Sequence, residues 1–201
     1  TVRKSRTASD LDIQKDYERR VKTLHSAIVE FATRADDTRL PPGIAQRIDD
    51  LRDVASDIVQ AVKSVKHLRR NVLNYTVRDQ GAVTGLYDGL RTEIARILVH
   101  IHKLDQADPE DRNARALDQE EAQIEADARD SARRIDGLIR SDALAPEAAT
   151  SFLNDSAYAY GAMRRLIRAA RCYYLARGSA TGEVAERLAL DDDELDTNAT
   201  G

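Results

Sequence analysis

The stretch that decides the fold is residues 83–104, which read VTGLYDGLRTEIARILVHIHKL. Its aliphatic side chains recur every three or four residues, so they lie along one side of an α-helix. A stripe of this length without interruption is typical of a helix packed in a bundle. The pattern predicts a helix over about 80–105.

The same periodicity on either side predicts four more long helices. They cover about 9–37, 42–72, 109–141 and 146–177, with Ser9, Asp108-Pro109 and Ala145-Pro146 as start signals. Because short connections force neighbouring helices to be antiparallel, the fold class is all-α, an elongated up-and-down bundle of about five helices. We divide the chain into a basic linker (1–8), the bundle (9–177) and an acidic tail (178–201).

Composition agrees with this fold class and excludes others. The 201 residues include 9 Gly, 4 Pro and no Trp, and 33% are charged. So few helix breakers and aromatic residues exclude a β-sandwich or barrel. The net charge of −4 hides an uneven distribution, because residues 181–201 hold seven acidic side chains against Arg187. A nearly neutral body with an acidic tail argues against a nucleic-acid-binding protein.

The ends of the sequence bear on where the protein is found. The sequence starts at Thr1 rather than Met, and its first seven residues, TVRKSRT, are basic. We expect a piece of a longer protein, in which this segment is either a solvated linker or a contact with a membrane surface on the cytoplasmic side. The single Cys172 fits a reducing compartment. No run of the chain is long and apolar enough to predict a membrane span.

The second predicted helix carries a candidate metal site. Asp50, Asp53 and Asp57 follow one another at spacings of three and four residues, which places them on one helix face. Oxygen ligands of this kind suit Mg²⁺, Mn²⁺, Ca²⁺ or iron. The alternative is a solvated face neutralised by nearby basic side chains, and spacing alone leaves both open.

Other candidate sites have weaker support. His100 and His102 are two residues apart on a helix and point to different sides, so they cannot chelate as a pair.

Nucleophile elbows, phosphate-binding loops and dinucleotide fingerprints are missing from the sequence, so we predict no enzyme. A basic run on two helices is either a patch for anions or a membrane, or ordinary solvated charge: Lys63, Lys66, Arg69, Arg70, Arg164, Arg165, Arg168 and Arg171.

Two stretches, residues 50–71 and residues 149–158, resemble a known family. Residues 50–57, DLRDVASD, look like the Asp/Glu-x-x-x-Asp motif of PhoU-like domains, with Asp53 and Asp57 at the paired positions. Residues 62–71, VKSVKHLRRN, and 149–158, ATSFLNDSAY, are similar to the branch appended to bacterial sodium-dependent phosphate cotransporters. The resemblance spans about residues 12–176.

The resemblance implies a helical bundle attached to its own transmembrane transporter domain, on the cytoplasmic side of the bacterial inner membrane. Wider family members bind multinuclear metal clusters through two such motifs. This chain departs from them, because Asn154, Asp155 and Tyr158 replace the second motif. The resemblance therefore implies a single divalent or ferric cation at Asp53 and Asp57, or none. A further source of ligands is the acids of the fourth helix: Glu120, Glu121, Glu125 and Asp127.

The function that follows is a non-enzymatic regulatory domain of a sodium/phosphate symporter. Two alternatives stay open. The first is a soluble PhoU-like adaptor that acts on a separate transporter or kinase, and the second is a purely structural bundle used for homo-oligomerisation.

Overall fold

The computed structural model describes residues 13–35, 40–77, 81–108 and 111–175. The basic linker at 1–8, the Ser9 cap and the acidic tail at 178–201 lie outside these ranges. Within them every long element is helical, which confirms the predicted all-α bundle.

The first predicted helix comprises α1 (Ile13–Asp16), a π-helical segment (Tyr17–Lys22) and α2 (Thr23–Arg34). Three further helices match the next three predictions: α3 (Pro42–Val77), α4 (Ala82–Gln106) and α5 (Ala114–Arg140). The chain then forms α6 (Pro146–Ala170) and continues through a second π-helical segment (Arg171–Leu175). The structure therefore has the five long helices that periodicity predicts.

The prediction for the end of α3 was wrong by five residues. The helix continues past Asn74, a residue type that favours turns, and ends at Val77. The Tyr75 ring stacks on Tyr87 of α4 at a centroid distance of 5.1 Å, and the Tyr75 carbonyl accepts a hydrogen bond from Thr84 Oγ1 at 2.7 Å. Gly81 lies at the start of α4, and its φ of 63° favours glycine.

The prediction for the start of α5 was also wrong. Asp108 leads into a short turn, and the helix begins only at Ala114. Asn113 is the true N-cap, since its side-chain oxygen accepts a hydrogen bond from the Arg115 amide at 2.9 Å. Just before it, Arg112 donates from Nε to the Leu104 carbonyl at 3.1 Å and so ties the connection to the end of α4.

The core lies between α4, α5 and α6, with parts of α3. Six of its largest fully buried side chains lie on the predicted stripes of these helices: Ile97, Leu117, Ile124, Ile135, Phe152 and Met163. Tyr87 and Ile167 are buried as well, although each lies one position beyond a predicted stripe residue. The first predicted helix differs, because Ala32 is its only buried residue in the described part of the chain. Leu24 is 63% exposed and Phe31 is 67% exposed, so its stripe is covered only in part.

Candidate functional site

The candidate site lies along the seam between α3 and α6, which share the most extensive interface of the bundle. The two helices run antiparallel, since the beginning of α3 contacts the end of α6. Polar contacts occur at four levels of this seam: Arg47 with Cys172, Asp57 with Arg168, His67 with Tyr158, and Asn71 with Asp155. The seam therefore brings residues 50–71 of α3 next to residues 149–158 of α6, the two stretches that carry the family resemblance.

Asp57 is held by Arg168 through both carboxylate oxygens. Arg168 Nε donates to Oδ2 at 2.5 Å, and Nη2 donates to Oδ1. The Asp57 side chain is only 13% exposed, whereas that of Arg168 is 67% exposed. The hydrogen bond to Asp57 raises the pKa of the Arg168 guanidinium, and the charges of Asp57, Asp53 and Glu121 add to this. The pair thus joins a largely covered carboxylate to a cation that solvent can reach.

The other two candidate ligands sit beside this pair on α3. Asp53 is exposed and close enough to Arg168 to affect its pKa. Asp50 accepts a hydrogen bond from Gln46 Nε2 at 2.9 Å. Among the described residues there is no group of three or more His, Cys, Asp or Glu side chains that could hold a metal ion. A cation at Asp53 and Asp57 stays a prediction, and it would have to compete with Arg168 for Asp57.

Asp155 lies at a different level of the seam and is 5% exposed. Its Oδ2 accepts hydrogen bonds from the Tyr87 hydroxyl at 2.6 Å and from Asn71 Nδ2 at 2.9 Å. Burial raises the pKa of Tyr87, and the bond to Asp155 raises it further. Because Asn71 is fourteen residues beyond Asp57, or about 21 Å along the helix, Asp155 does not join the aspartates of α3 in one site.

The neighbours of Asp155 have separate environments. Asn154 is exposed, and the Tyr158 ring stacks on His67 of α3 at a centroid distance of 5.0 Å. Residues 154–158 therefore supply a buried hydrogen-bond acceptor, Asp155, and a ring contact, Tyr158. Both of them attach α6 to α3.

The acidic side chains of α5, the fourth predicted helix, contact basic side chains rather than the aspartates of α3. Glu120 binds Arg96, and its Oε1 is 2.7 Å from His100 Nδ1. Asp127 lies 3.4 Å from the same Arg96.

The other two acidic side chains of α5 have different partners. Glu121 Oε2 accepts a hydrogen bond from Arg171 at 3.1 Å. Glu125 pairs with Arg129 of its own helix at 3.8 Å. The structure therefore brings none of them into contact with Asp53 or Asp57 in the described contacts.

Sequence analysis missed a buried polar pair between α4 and α6. Glu93 Oε2 and the Tyr160 hydroxyl are both buried and have no hydrogen-bond partner of good geometry within the described residues. Burial raises the pKa of Glu93 and also that of Tyr160, whose pKa the nearby Glu93 raises further. The sequence does carry a signal, because Glu93 is three residues after Leu90 and four before Ile97, within the apolar stripe.

Cys172 is a half-buried thiol near the end of the seam. Its Sγ contacts the Asp50 carbonyl at 3.8 Å. The adjacent Arg171 is a cation that would lower the pKa of this thiol if the two side chains faced each other. The pKa is instead raised, first by burial and then by Asp50, and the opposing cation is Arg47. Arg171 acts elsewhere, because its guanidinium binds Asp118 and Glu121 of α5.

Comparisons with family models, curated proteins and solved structures give no match for this chain. In the described ranges, none of the helices combines the length and the apolar character that crossing a membrane requires.

Proposed function

We propose that the chain is a non-enzymatic regulatory domain of a sodium/phosphate symporter, of the PhoU-like type, attached on the cytoplasmic side. The observation that supports this most is the pairing of the two stretches on which the resemblance rests. Residues 62–71 and 149–158 pack on each other through the bond between Asn71 and Asp155 and the stacking of His67 on Tyr158.

The pair of Asp57 and Arg168 is the proposed sensing contact. A cation bound at Asp53 and Asp57 competes with Arg168 for the Asp57 carboxylate. Inorganic phosphate competes with Asp57 for the guanidinium, whose planar donors suit phosphate oxygens. Either ligand weakens the contact between α3 and α6 at this level. The basic segment before α1 then passes the change to the membrane domain.

Titration with Mn²⁺ by calorimetry tests the sensing contact. Asp57→Asn should weaken binding because it removes a ligand, and Arg168→Gln should strengthen binding because it removes the competing cation. Asp49→Asn is the matched control, since Asp49 pairs with Arg52 of its own helix at 2.9 Å. Weaker binding in Arg168→Gln would contradict the competition. Unchanged heats in all variants would favour a purely structural bundle.

The reading frame upstream of Thr1 tests the attachment. We expect several hydrophobic segments of about 20 residues each, long enough to span a bilayer. A start codon close to Thr1 would instead favour the separate phosphate-signalling adaptor.

A further inference from the structure

The second half of α3 presents a row of basic side chains that the proposed function does not use. Lys63, His67 and Arg70 are spaced by four and three residues, so they lie along one side of the helix. All three are exposed. Lys66 is exposed at the edge of this row, where its ammonium group lies 5.6 Å from the centroid of the Tyr17 ring. Residues 58–77 of α3 contain no acidic side chain that could neutralise the row.

Helix α6 extends this surface across the seam. The Tyr158 ring stacks on His67 and is still 43% exposed. Arg165 comes seven residues after Tyr158, so the two lie on the same side of α6. Residues 156–170 also contain no acidic side chain. Together these side chains form a surface that we call the basic face: Lys63, Lys66, His67, Arg70, Tyr158 and Arg165.

The Lys and Arg side chains of the basic face are not neutralised. Among the described residues, no acidic side chain forms an ion pair with any of the four. Other cations of the bundle differ from them, because they contact a carboxylate: examples are Arg34, Arg52, Arg96, Arg133 and Arg171. A cluster of cations without counter-charges creates a positive potential that attracts an anionic partner.

The spread of these cations indicates the kind of partner. Lys63 and Arg70 are about 10 Å apart along the helix axis, so one phosphate group cannot contact all four cations. A bilayer presents many anionic headgroups in one plane and needs only one face of the protein. A half-exposed tyrosine such as Tyr158 is favourable at that depth, where its ring is apolar and its hydroxyl stays wet. We propose that the basic face binds the surface of an anionic lipid bilayer.

Binding of the full chain to lipid vesicles tests this proposal. Vesicles made of equal parts phosphatidylcholine and phosphatidylglycerol should carry the protein down on sedimentation, whereas vesicles of phosphatidylcholine alone should not. Each Lys or Arg near an anionic bilayer raises partitioning about fivefold. The triple variant Lys63→Gln, Lys66→Gln and Arg70→Gln should therefore bind about one hundredfold more weakly.

A second triple variant controls for net charge. Arg129→Gln, Arg133→Gln and Arg140→Gln remove the same charge from exposed positions of α5, and this variant should bind nearly as tightly as the native chain. Equal losses in the two triple variants, or no loss in the α3 variant, would overturn the proposal. The vesicles contain no transporter, so either result is independent of the proposed symporter function.

Tryptophan emission shows which face meets the lipid. Because the chain contains no tryptophan, Tyr158→Trp reports on the basic face alone, and its emission should shift to the blue when the anionic vesicles are added. Leu98→Trp, at a position of α4 that is 51% exposed, should not shift. Equal shifts in both variants would overturn the proposal. Binding to a DNA duplex as tight as binding to the vesicles, with the same loss in the α3 variant, would overturn it in favour of nucleic acid.

Discussion

Replacing Asp155 by alanine tests the packing of the seam most directly. The change removes the acceptor for Tyr87, which is fully buried, and for Asn71. A buried donor such as the Tyr87 hydroxyl, left without a partner, costs about 1–3 kcal/mol; the Asn71 amide is only partly buried and adds less, so the total is about 1–4 kcal/mol. That is a large fraction of the total stability of about 5–15 kcal/mol that is usual for a domain.

Urea unfolding followed by circular dichroism measures this loss. With a slope of about 2 kcal/mol per molar urea, the midpoint should fall by about 0.5–2 M. Asn154→Ala, at the exposed neighbouring position, should leave the midpoint nearly unchanged.

The effect of Tyr87→Phe on the free energy of unfolding distinguishes the loss of these hydrogen bonds from a general packing defect. In the native background Tyr87→Phe should destabilise, because it removes a made hydrogen bond. In the Asp155→Ala background it should stabilise, because it removes a hydroxyl that has no partner. The same destabilisation by Tyr87→Phe in both backgrounds would refute the account of this contact.

Three further predictions follow from buried titratable groups. Burial raises the pKa of the Tyr87 hydroxyl above its value of about 10 in the unfolded chain. The neutral hydroxyl therefore stabilises the folded protein below a pH of about 10, and this stabilisation is lost as the pH rises further. Because Tyr87→Phe removes the titrating group, the urea midpoint of this variant should fall less at alkaline pH. Burial also raises the pKa of Glu93, so its charged carboxylate destabilises the folded protein at pH 7. Glu93→Gln should therefore raise Tm at pH 7. This gain should disappear below a pH of about 4, where the carboxyl group is neutral in the folded and the unfolded chain. The raised pKa of Cys172 predicts slower reaction with a thiol reagent at pH 8 in the folded protein than in urea.

The fold was predictable because helix periodicity is a local signal. The stripe from Val83 to Leu104 specifies α4, and all five long helices were found from such patterns. Their ends were less predictable. Whether α3 stops at Asn74 depends on the stacking of Tyr75 on a ring from another helix, and the local sequence does not carry that information.

The site was predictable only in part, for the same reason. Spacing placed Asp53 and Asp57 on one helix, but the partner of Asp57 is Arg168, separated from it by more than one hundred residues. In the sequence Asp155 is one of three residues that stand in place of a second carboxylate motif, and its burial against Tyr87 arises only when α4 and α6 pack. Long-range pairs of this kind need the fold to be known first.

The measurement that tests the central proposal most directly is phosphate uptake by the whole gene product, with and without residues 10–201. Membrane abundance of both forms is matched by immunoblot, and Asp57→Asn in the intact protein serves as the point variant. We predict that both changes alter how uptake responds to the phosphate supply. Uptake that keeps the same rate and the same response after the deletion would contradict a regulatory role for this domain.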